Sequence, residues 1–259
     1  MFMNIVVCAK DVVDASEMKI DSSNKPIVEG IPKKISDIDK NALEEAIKIK
    51  EKHGGKITVL TVGYSDSKER IKELLAMGAD EGILIPYPNK YDYHIVTNLL
   101  SEAIKKIKDY DIILCGEAST DLFSGQVGPK IAGLLNIPQL TYTFNLNVEK
   151  DKITGERNMG DNSVTTESTF PVLITVTKEI NEPRLPSLME ILGAANKPIH
   201  DWTVDSLISD INTKIETVDI KGVSMERKNL VFKDDIDESI SKLVDNLAKD
   251  GVLGWYKWF

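Results

Sequence analysis

The stretch "DIILCGEASTDLFSGQVGPKIAGLLN", residues 111–136, decides the fold class of the chain. It begins with an apolar run at 111–116, which is typical of a buried strand. A loop of small and polar residues follows, and the apolar segment at 125–136 predicts a helix. A strand that ends in a loop and then a helix is the repeating unit of α/β proteins, and such a loop often receives a phosphate.

The same strand–helix unit recurs through the first two-thirds of the chain. Because the predicted strands are apolar along their whole length, they indicate a mostly parallel sheet with helices on both faces. In such sheets ligands lie beyond the carboxyl ends of the strands. Strands are predicted at 4–10, 56–63, 81–86, 111–116 and 171–178, and helices at 39–55, 67–78, 93–108 and 125–136.

The pattern changes after residue 139. Period-two alternation over residues 140–170 predicts an antiparallel β meander on the edge of the sheet. The polar segment 200–259 contains a predicted helix at 237–251 and ends in the aromatic stretch "WYKWF". We therefore expect an α/β domain at 1–199 and a C-terminal extension at 200–259.

Composition limits the class of protein and its compartment. The 259 residues carry a net charge of −9, and no basic face of the kind that nucleic-acid-binding proteins use is evident. The two cysteines form neither a CxxC motif nor a disulfide framework, which favours a reducing compartment. No apolar run reaches membrane-spanning length, and the first residues do not resemble a secretory signal. We expect a cytoplasmic protein.

The sequence lacks the common catalytic and metal-binding motifs. The motifs HExxH, GxSxG, GxGxxG and GxxxxGK[ST] are missing, and the three histidines have no Cys or Glu at ligand spacing. We therefore predict no metal site and no catalytic side chain on this chain. Whether it is part of an enzyme stays open.

The loop before the 125–136 helix allows two interpretations. Gly125 and Gly128 permit close approach of the backbone, and the helix start offers unpaired N–H groups to an anion. Because no lysine or arginine lies between Gly116 and Pro129, backbone amides would carry most of the binding. Alternatively, Ser124 caps the helix and the loop binds nothing. The loop by itself does not choose between the two.

Five collinear stretches together resemble the β subunit of electron transfer flavoprotein. The resemblance covers about residues 4–199, and the segment beyond it adds little. The stretches are "VVCAKDVVDASEMKID" (6–21), "DKNALEEAIKIKEKHGG" (39–55), "ELLAMGADEGILI" (73–85), "CGEASTDLFSGQVGPKIAGLLNIPQLTY" (115–142) and "TVTKEINEPRLPSL" (175–188).

The resemblance implies a fold, two cofactors and a set of partners. The fold would be Rossmann-like, of the adenine-nucleotide-hydrolase-like type. The chain would pair with an α subunit that shares the redox FAD, and would itself hold AMP or a second FAD. It would pass electrons between a dehydrogenase, such as an acyl-CoA dehydrogenase-like enzyme, and an acceptor. In bifurcating members of the family, NADH reduces the second FAD. The C-terminal extension would pack on the α subunit.

The resemblance also implies site residues, which would bind rather than make or break bonds. The nucleotide contacts implied are Cys8, Ser36, Asp37, Ile38, Asp39, Val62, Gly116, Thr120, Asp121, Ser124, Gly125, Gln126 and Val127. Ser36–Asp37 replaces the family's usual Asn-Pro, and Leu122–Phe123 replaces its usual Gly-Asp, so that Asp37 and Phe123 could reshape the pocket.

Partner contacts are implied in the segment 180–197. Leu188 matches a leucine that anchors the dehydrogenase, whereas its helical spacing with Leu185 and Leu192 equally predicts ordinary helix packing. Arg184 would bind across the subunit interface or hold its own loop through Glu182, and we favour the second.

One alternative from another class fits the same fold. A stand-alone regulatory domain would bind an adenine nucleotide as a homodimer, without an α partner and without a redox role. Such a domain needs neither the 181–188 stretch nor the long C-terminal extension, and both features favour the electron-transfer interpretation.

Overall fold

The structure is a computed structural model that describes residues 2–87, 92–209, 211–214, 218–222 and 228–253. The chain divides into two compact units, Met1–Ile220 and Lys221–Phe259. The predicted aromatic end at 255–259 lies outside the described residues.

The strands and helices follow the predicted alternation closely. The strands are β1 (Met3–Cys8), β2 (Asp11–Val13), β3 (Lys19–Ile20), β4 (Pro26–Ile27), β5 (Lys33–Ile35), β6 (Gly55–Gly63), β7 (Glu81–Pro86), β8 (Ile112–Gly116), β9 (Gln139–Val148), β10 (Ile153–Asn158), β11 (Ser163–Ser168), β12 (Val172–Val176) and β13 (Ile199–Asp201). The helices are α1 (Asp37–His53), α2 (Ser67–Met77), α3 (Tyr93–Ile107), α4 (Val127–Leu135), α5 (Leu188–Ala194) and α6 (Ile236–Lys249).

One mixed sheet organises the first unit and confirms the predicted α/β, Rossmann-like fold. Its strand order in the described ranges is β11-β10-β9-β12-β8-β1-β6-β7-β13. All pairs from β9 to β13 across this order are parallel. The strands β9, β10 and β11 form the antiparallel meander that the period-two pattern predicts, and they lie at one edge.

Alternate side chains of each parallel strand pack into two cores, one on each face of the sheet. In β1, Ile5 and Val7 pack with the helices α1 and α2. Val6 and Cys8, pointing the other way, pack with α3 and α4. This explains why the strands are apolar along their whole length, since helices cover both of their faces.

Several element boundaries differ from the prediction by one to a few residues. Helix α4 begins at Val127, with Gln126 in the N-cap position, rather than at residue 125. The sheet continues past residue 199, because His200 and Asp201 of β13 pair with β7. The boundary at 199 stays a prediction, while the first compact unit itself extends to Ile220.

Helix α6 belongs to the second unit and is strongly amphipathic. Asp235 caps it by accepting from the backbone N–H groups of Asp237 and Glu238. Four apolar side chains share one face at helical spacing and are exposed: Ile236, Ile240, Leu243 and Val244. Across the described ranges, no helix combines the length and apolar character needed to cross a membrane.

Candidate functional site

A pocket opens at the carboxyl ends of β1, β6 and β8, the edge of the sheet where the fold predicts a ligand. The loop between β8 and α4 forms one wall, and helix α3 forms another. Eight of the predicted nucleotide contacts line it: Cys8, Asp39, Val62, Gly116, Ser124, Gly125, Gln126 and Val127. Whether they bind a nucleotide stays a prediction.

The other five predicted contacts lie behind or beside the pocket wall. Ser36 is fully buried, and its Oγ accepts a hydrogen bond from the backbone N–H of Thr120 at 3.3 Å. Ile38 packs so closely on Gly116 that a Cβ there would lie 3.0 Å from the Ile38 side chain. Asp37 is half exposed, pairs with Lys34 at 3.0 Å and does not line the pocket, so its effect on the pocket stays a prediction. The fifth, Asp121, pairs with Lys10.

Asp39 holds together the two strand ends that carry the pocket. Its buried carboxylate accepts from the backbone N–H of Lys10 at 2.8 Å and from that of Gly116 at 2.9 Å. Burial raises the pKa of Asp39 to about 7, although the two backbone donors act in the opposite direction. Asp39, which the resemblance implies as a nucleotide contact, therefore also links the end of β1 to β8.

Lys10 supplies the cation that the loop sequence lacks. It lies two residues after the end of β1, and its ammonium lies 2.8 Å from Asp121 Oδ1 and 3.3 Å from Ser119 Oγ. Because these partners lie more than a hundred positions away, inspection of the loop alone missed it. The available signal was the position of Lys10 at the carboxyl end of the predicted strand 4–10, the end that faces the site.

The inner wall of the pocket is apolar, and sequence analysis missed most of it. Leu60 comes from β6, and Val96 and Leu100 come from one face of α3. Beside them the Tyr93 ring carries the Lys130 ammonium at 4.3 Å from its centroid. A planar apolar group and an anion could therefore both be accommodated, at opposite sides of the same pocket.

The loop leading to α4 has no capping side chain, and one of its glycines has a positive φ. Ser124 does not cap the helix, since α4 begins three residues later and has no side-chain cap. The proposed capping role of Ser124 is therefore wrong, while binding of a ligand by this loop stays a prediction. Gly125 has a φ of 62°, which favours glycine. Phe123 also has a positive φ, 48°, yet its side chain is 64% exposed and does not line the pocket. Leu122 does line it.

The two cysteines that line the pocket are protonated thiols and are therefore poor nucleophiles. Cys8 is the last residue of β1, Cys115 is the last but one of the neighbouring strand β8, and both are buried. Burial raises the pKa of Cys8 to about 12, with the Asp39 charge adding to the effect. Such thiols remain protonated at neutral pH and present a small apolar surface. In the described part of the chain, no cluster of His, Cys, Asp and Glu could hold a metal ion.

The segment 181–184 is anchored to helix α1. The amide of Asn181 and that of buried Asn41 are bound to each other and to nearby backbone oxygens. Arg184 makes a two-pronged ion pair with Glu44, at 2.9 Å for both Nε and Nη2, and a second pair with Glu51 at 2.6 Å. The expectation of an intramolecular role is met, but the expected partner Glu182 is wrong.

The residues that follow this anchor are exposed and apolar. Leu185 is 92% exposed and Leu188 is 71% exposed, and Met189, Ile191 and Leu192 are also exposed. The helix-packing interpretation of Leu188 is therefore wrong. A capping box between Ser187 and Glu190 fixes the start of α5, so the apolar side chains stand on an ordered helix.

Comparison with known proteins identifies the family. A model described as "Electron transfer flavoprotein domain" matches residues 27–207. The chain belongs to the electron transfer flavoprotein β-subunit family. A β subunit of electron transfer flavoprotein from Thermoanaerobacterium thermosaccharolyticum is 40% identical, covering 97% of this chain and 100% of the relative.

Further relatives carry the same name or that of a larger complex. A β subunit of electron transfer flavoprotein from Clostridium acetobutylicum is 39% identical over 85% of this chain and 84% of its own length. The caffeyl-CoA reductase-Etf complex subunit CarD from Acetobacterium woodii is 36% identical over 79% of this chain and 80% of its own length. Electron transfer flavoprotein β subunits therefore match this chain over most of its length.

Proposed function

We propose that this chain is the β subunit of a heterodimeric electron transfer flavoprotein and that its pocket holds an adenine nucleotide, either AMP or a second FAD. The observation that carries the proposal is the pocket itself, which combines an apolar wall with a loop of small residues at the carboxyl edge of a parallel sheet. The Oγ1 of Thr120, buried in this loop without a hydrogen-bond partner, is a further sign that the loop is built for a polar ligand.

The residues of the pocket fit the two ends of an adenine nucleotide. Leu60, Val62, Val96 and Leu100 would bind the apolar face of the base. Ser124, Gly125, Gln126 and Val127 would bind the phosphate group, through backbone and side-chain donors at the loop. Asp39, Ser36 and Ile38 would hold this loop in place from behind.

The redox FAD would be shared with the α subunit, and it supplies the electron-accepting chemistry when bound. This chain would then need no catalytic side chain, since its task is to position cofactors. Electrons would pass between a dehydrogenase and an acceptor. In the bifurcating form of the proposal, NADH would be the donor to a second FAD in this pocket. The C-terminal extension would pack on the α subunit.

Nucleotide content after co-expression tests the proposal. The full chain is co-expressed with an α subunit from the same family, and the purified complex is extracted and its flavin and adenine nucleotide are counted per heterodimer. One FAD plus one AMP supports the simple carrier, and two FAD support the bifurcating form. A heterodimer without nucleotide in the β pocket, or a homodimer that ignores the α subunit, contradicts the proposal.

We also propose that the exposed segment Leu185–Leu192 docks a dehydrogenase. Its support is the unusual exposure of Leu185 and Leu188 beside an anchored Arg184. Arg184 then contributes by holding this segment through Glu44 and Glu51. Leu188→Ala should slow electron transfer from the dehydrogenase while the nucleotide content of the heterodimer stays the same. Equal rates of electron transfer for the wild-type and Leu188→Ala heterodimers would contradict this docking surface.

A further inference from the structure

The pocket has one basic side chain among the described residues that line it, and it is Lys10. The chain as a whole carries a net charge of −9, so its overall field repels a phosphorylated ligand. Among the lining carboxyl groups, burial raises the pKa of Asp39 to about 7, and burial together with the nearby Glu179 charge raises the pKa of Glu117. Lys10 is therefore the cation that lines the pocket itself, whereas the Lys130 ammonium lies over the Tyr93 ring beside it.

The backbone and the side chain of Lys10 are held by different groups. Asp39 accepts from its backbone N–H at 2.8 Å, which fixes the residue at the end of β1. Its ammonium extends to the loop, where Asp121 Oδ1 lies at 2.8 Å and Ser119 Oγ at 3.3 Å. The side chain thus bridges β1 and the loop at the pocket.

Asp121 is placed as a counter-ion rather than as a pocket wall. It does not line the pocket, and the same oxygen that pairs with Lys10 also accepts from the backbone N–H of Leu122 at 2.7 Å. Although burial acts to raise it, the pKa of Asp121 is lowered, chiefly by the Lys10 ammonium. A phosphate that enters the pocket is a second anion for the same cation, and it carries more charge than Asp121.

We infer that Lys10 is the phosphate-selecting residue of the pocket and that Asp121 is its exchangeable counter-ion, which a nucleotide phosphate replaces on binding. This inference rests on the proposed nucleotide function. The ligand class that it selects is a nucleoside monophosphate or a longer phosphate ester, against the unphosphorylated nucleoside. Asp121 is then a positioning residue that competes with the ligand, although the family resemblance implies a direct nucleotide contact at this position.

Titration of the nucleotide-free full chain with AMP and with adenosine tests the inference. The wild-type chain should bind AMP more tightly than adenosine by about 10- to 100-fold, the range expected for one charge-assisted hydrogen bond. Lys10→Met should lose most of that ratio, and Lys10→Arg should keep it. Lys105→Met is a matched control, because Lys105 has a comparable carboxylate partner, Glu102 at 2.7 Å, away from the pocket.

The variant Asp121→Asn distinguishes exchange from direct contact by the sign of its effect. If Asp121 competes with phosphate, AMP should bind at least about threefold more tightly and adenosine should bind unchanged. The gain should vanish when Lys10→Met is added, since Asp121 acts through Lys10. Weaker AMP binding by Asp121→Asn, or a gain that persists without Lys10, would overturn the exchange.

The outcomes separate this inference from the nucleotide function. An unchanged AMP-to-adenosine ratio in Lys10→Met overturns the role of Lys10, while binding itself still supports the nucleotide pocket. If the wild-type chain binds neither ligand, the nucleotide function fails and the inference fails with it.

Discussion

Asp39 makes the stability of the chain depend on pH at the scale of one residue. Burial raises its pKa in the folded state to about 7, above its unfolded value, so the folded state binds the extra proton between about pH 4 and 7. The contribution of Asp39 to stability is therefore fully present below pH 4 and falls as pH rises through 7. For one proton the slope is at most about 1.4 kcal/mol per pH unit.

Asp39→Asn isolates this effect from the other titrating groups. The amide does not titrate, and its NH₂ group faces a backbone donor, so the variant should be less stable by about 1–3 kcal/mol at pH 4. The difference from wild type should shrink as pH rises to 7. Urea unfolding of both proteins at pH 4, 5, 6 and 7 measures it. A difference that is constant or that grows with pH would contradict a raised pKa.

Phe123 carries a backbone conformation that suits its side chain poorly. Its φ of 48° strains the backbone, and its exposed ring makes little packing contact that could offset this strain. Phe123→Asn should raise the free energy of unfolding by about 1 kcal/mol, because Asn tolerates the left-handed region better. Phe123→Ala is the control, since it removes the same ring without that tolerance. Equal midpoints in urea for the two variants would show that strain is not the cause.

Site residues could be predicted where a short stretch of sequence identifies them, but not where residues distant in the sequence meet in the fold. The eight predicted contacts that line the pocket were implied by the family resemblance, which rests on short stretches of the sequence. Lys10 and Asp121 meet across more than a hundred positions, which spacing along the chain does not reveal. Ser124 shows that a local signal can also mislead. Serine is a common helix-cap residue, but α4 begins only at Val127.

At the scale of elements, the anchor between the 181–184 segment and α1 should control the order of the exposed residues that follow. Glu44 is buried in this ion pair, whereas Glu51 is largely exposed. Glu44→Gln should lower the free energy of unfolding by about 1–3 kcal/mol and speed amide hydrogen exchange in α5. The matched control Glu51→Gln should cost less than about 1 kcal/mol.

Hydrogen exchange of the α5 amides decides whether the anchor acts at a distance. If Glu44→Gln lowers stability but leaves exchange in α5 at the wild-type rate, relative to Glu51→Gln, the anchor stabilises α1 alone. The docking segment would then owe its order to the Ser187–Glu190 capping box.

The order of the longer strands and helices was readable from the sequence because each has a clear period, whereas the strands β2 to β5 and β13, of two or three residues each, were not predicted. Parallel strands read as continuous apolar runs, and the meander reads as an alternation, so both types and the edge position of the meander were predicted. The partners of Arg184 were not predicted. Glu44 and Glu51 lie on a charged helix face, which the sequence pattern assigns to solvent. A charged helix face can therefore bind another segment of the same chain through ion pairs, as α1 binds the 181–184 segment.

At the scale of the whole molecule, the exposed stripe of α6 predicts how the heterodimer forms. Ile240 and Val244 lie on one face of an amphipathic helix that the second unit leaves uncovered, and apolar surface of this kind is typical of a contact with another chain. Ile240→Glu should therefore lower the yield of heterodimer on co-expression with an α subunit. Ser241→Glu adds the same charge beside the stripe and is the control.

The readouts should separate assembly from folding. Because Ile240 lies outside the unit that contains the pocket, Ile240→Glu should leave the far-UV circular dichroism of the isolated chain and its AMP affinity near the wild-type values. Size-exclusion chromatography of the co-expressed subunits should show free α and β chains for Ile240→Glu and a heterodimer for Ser241→Glu. A full yield of heterodimer with Ile240→Glu would mean that the α subunit is held by another surface, and that the stripe on α6 serves a different contact.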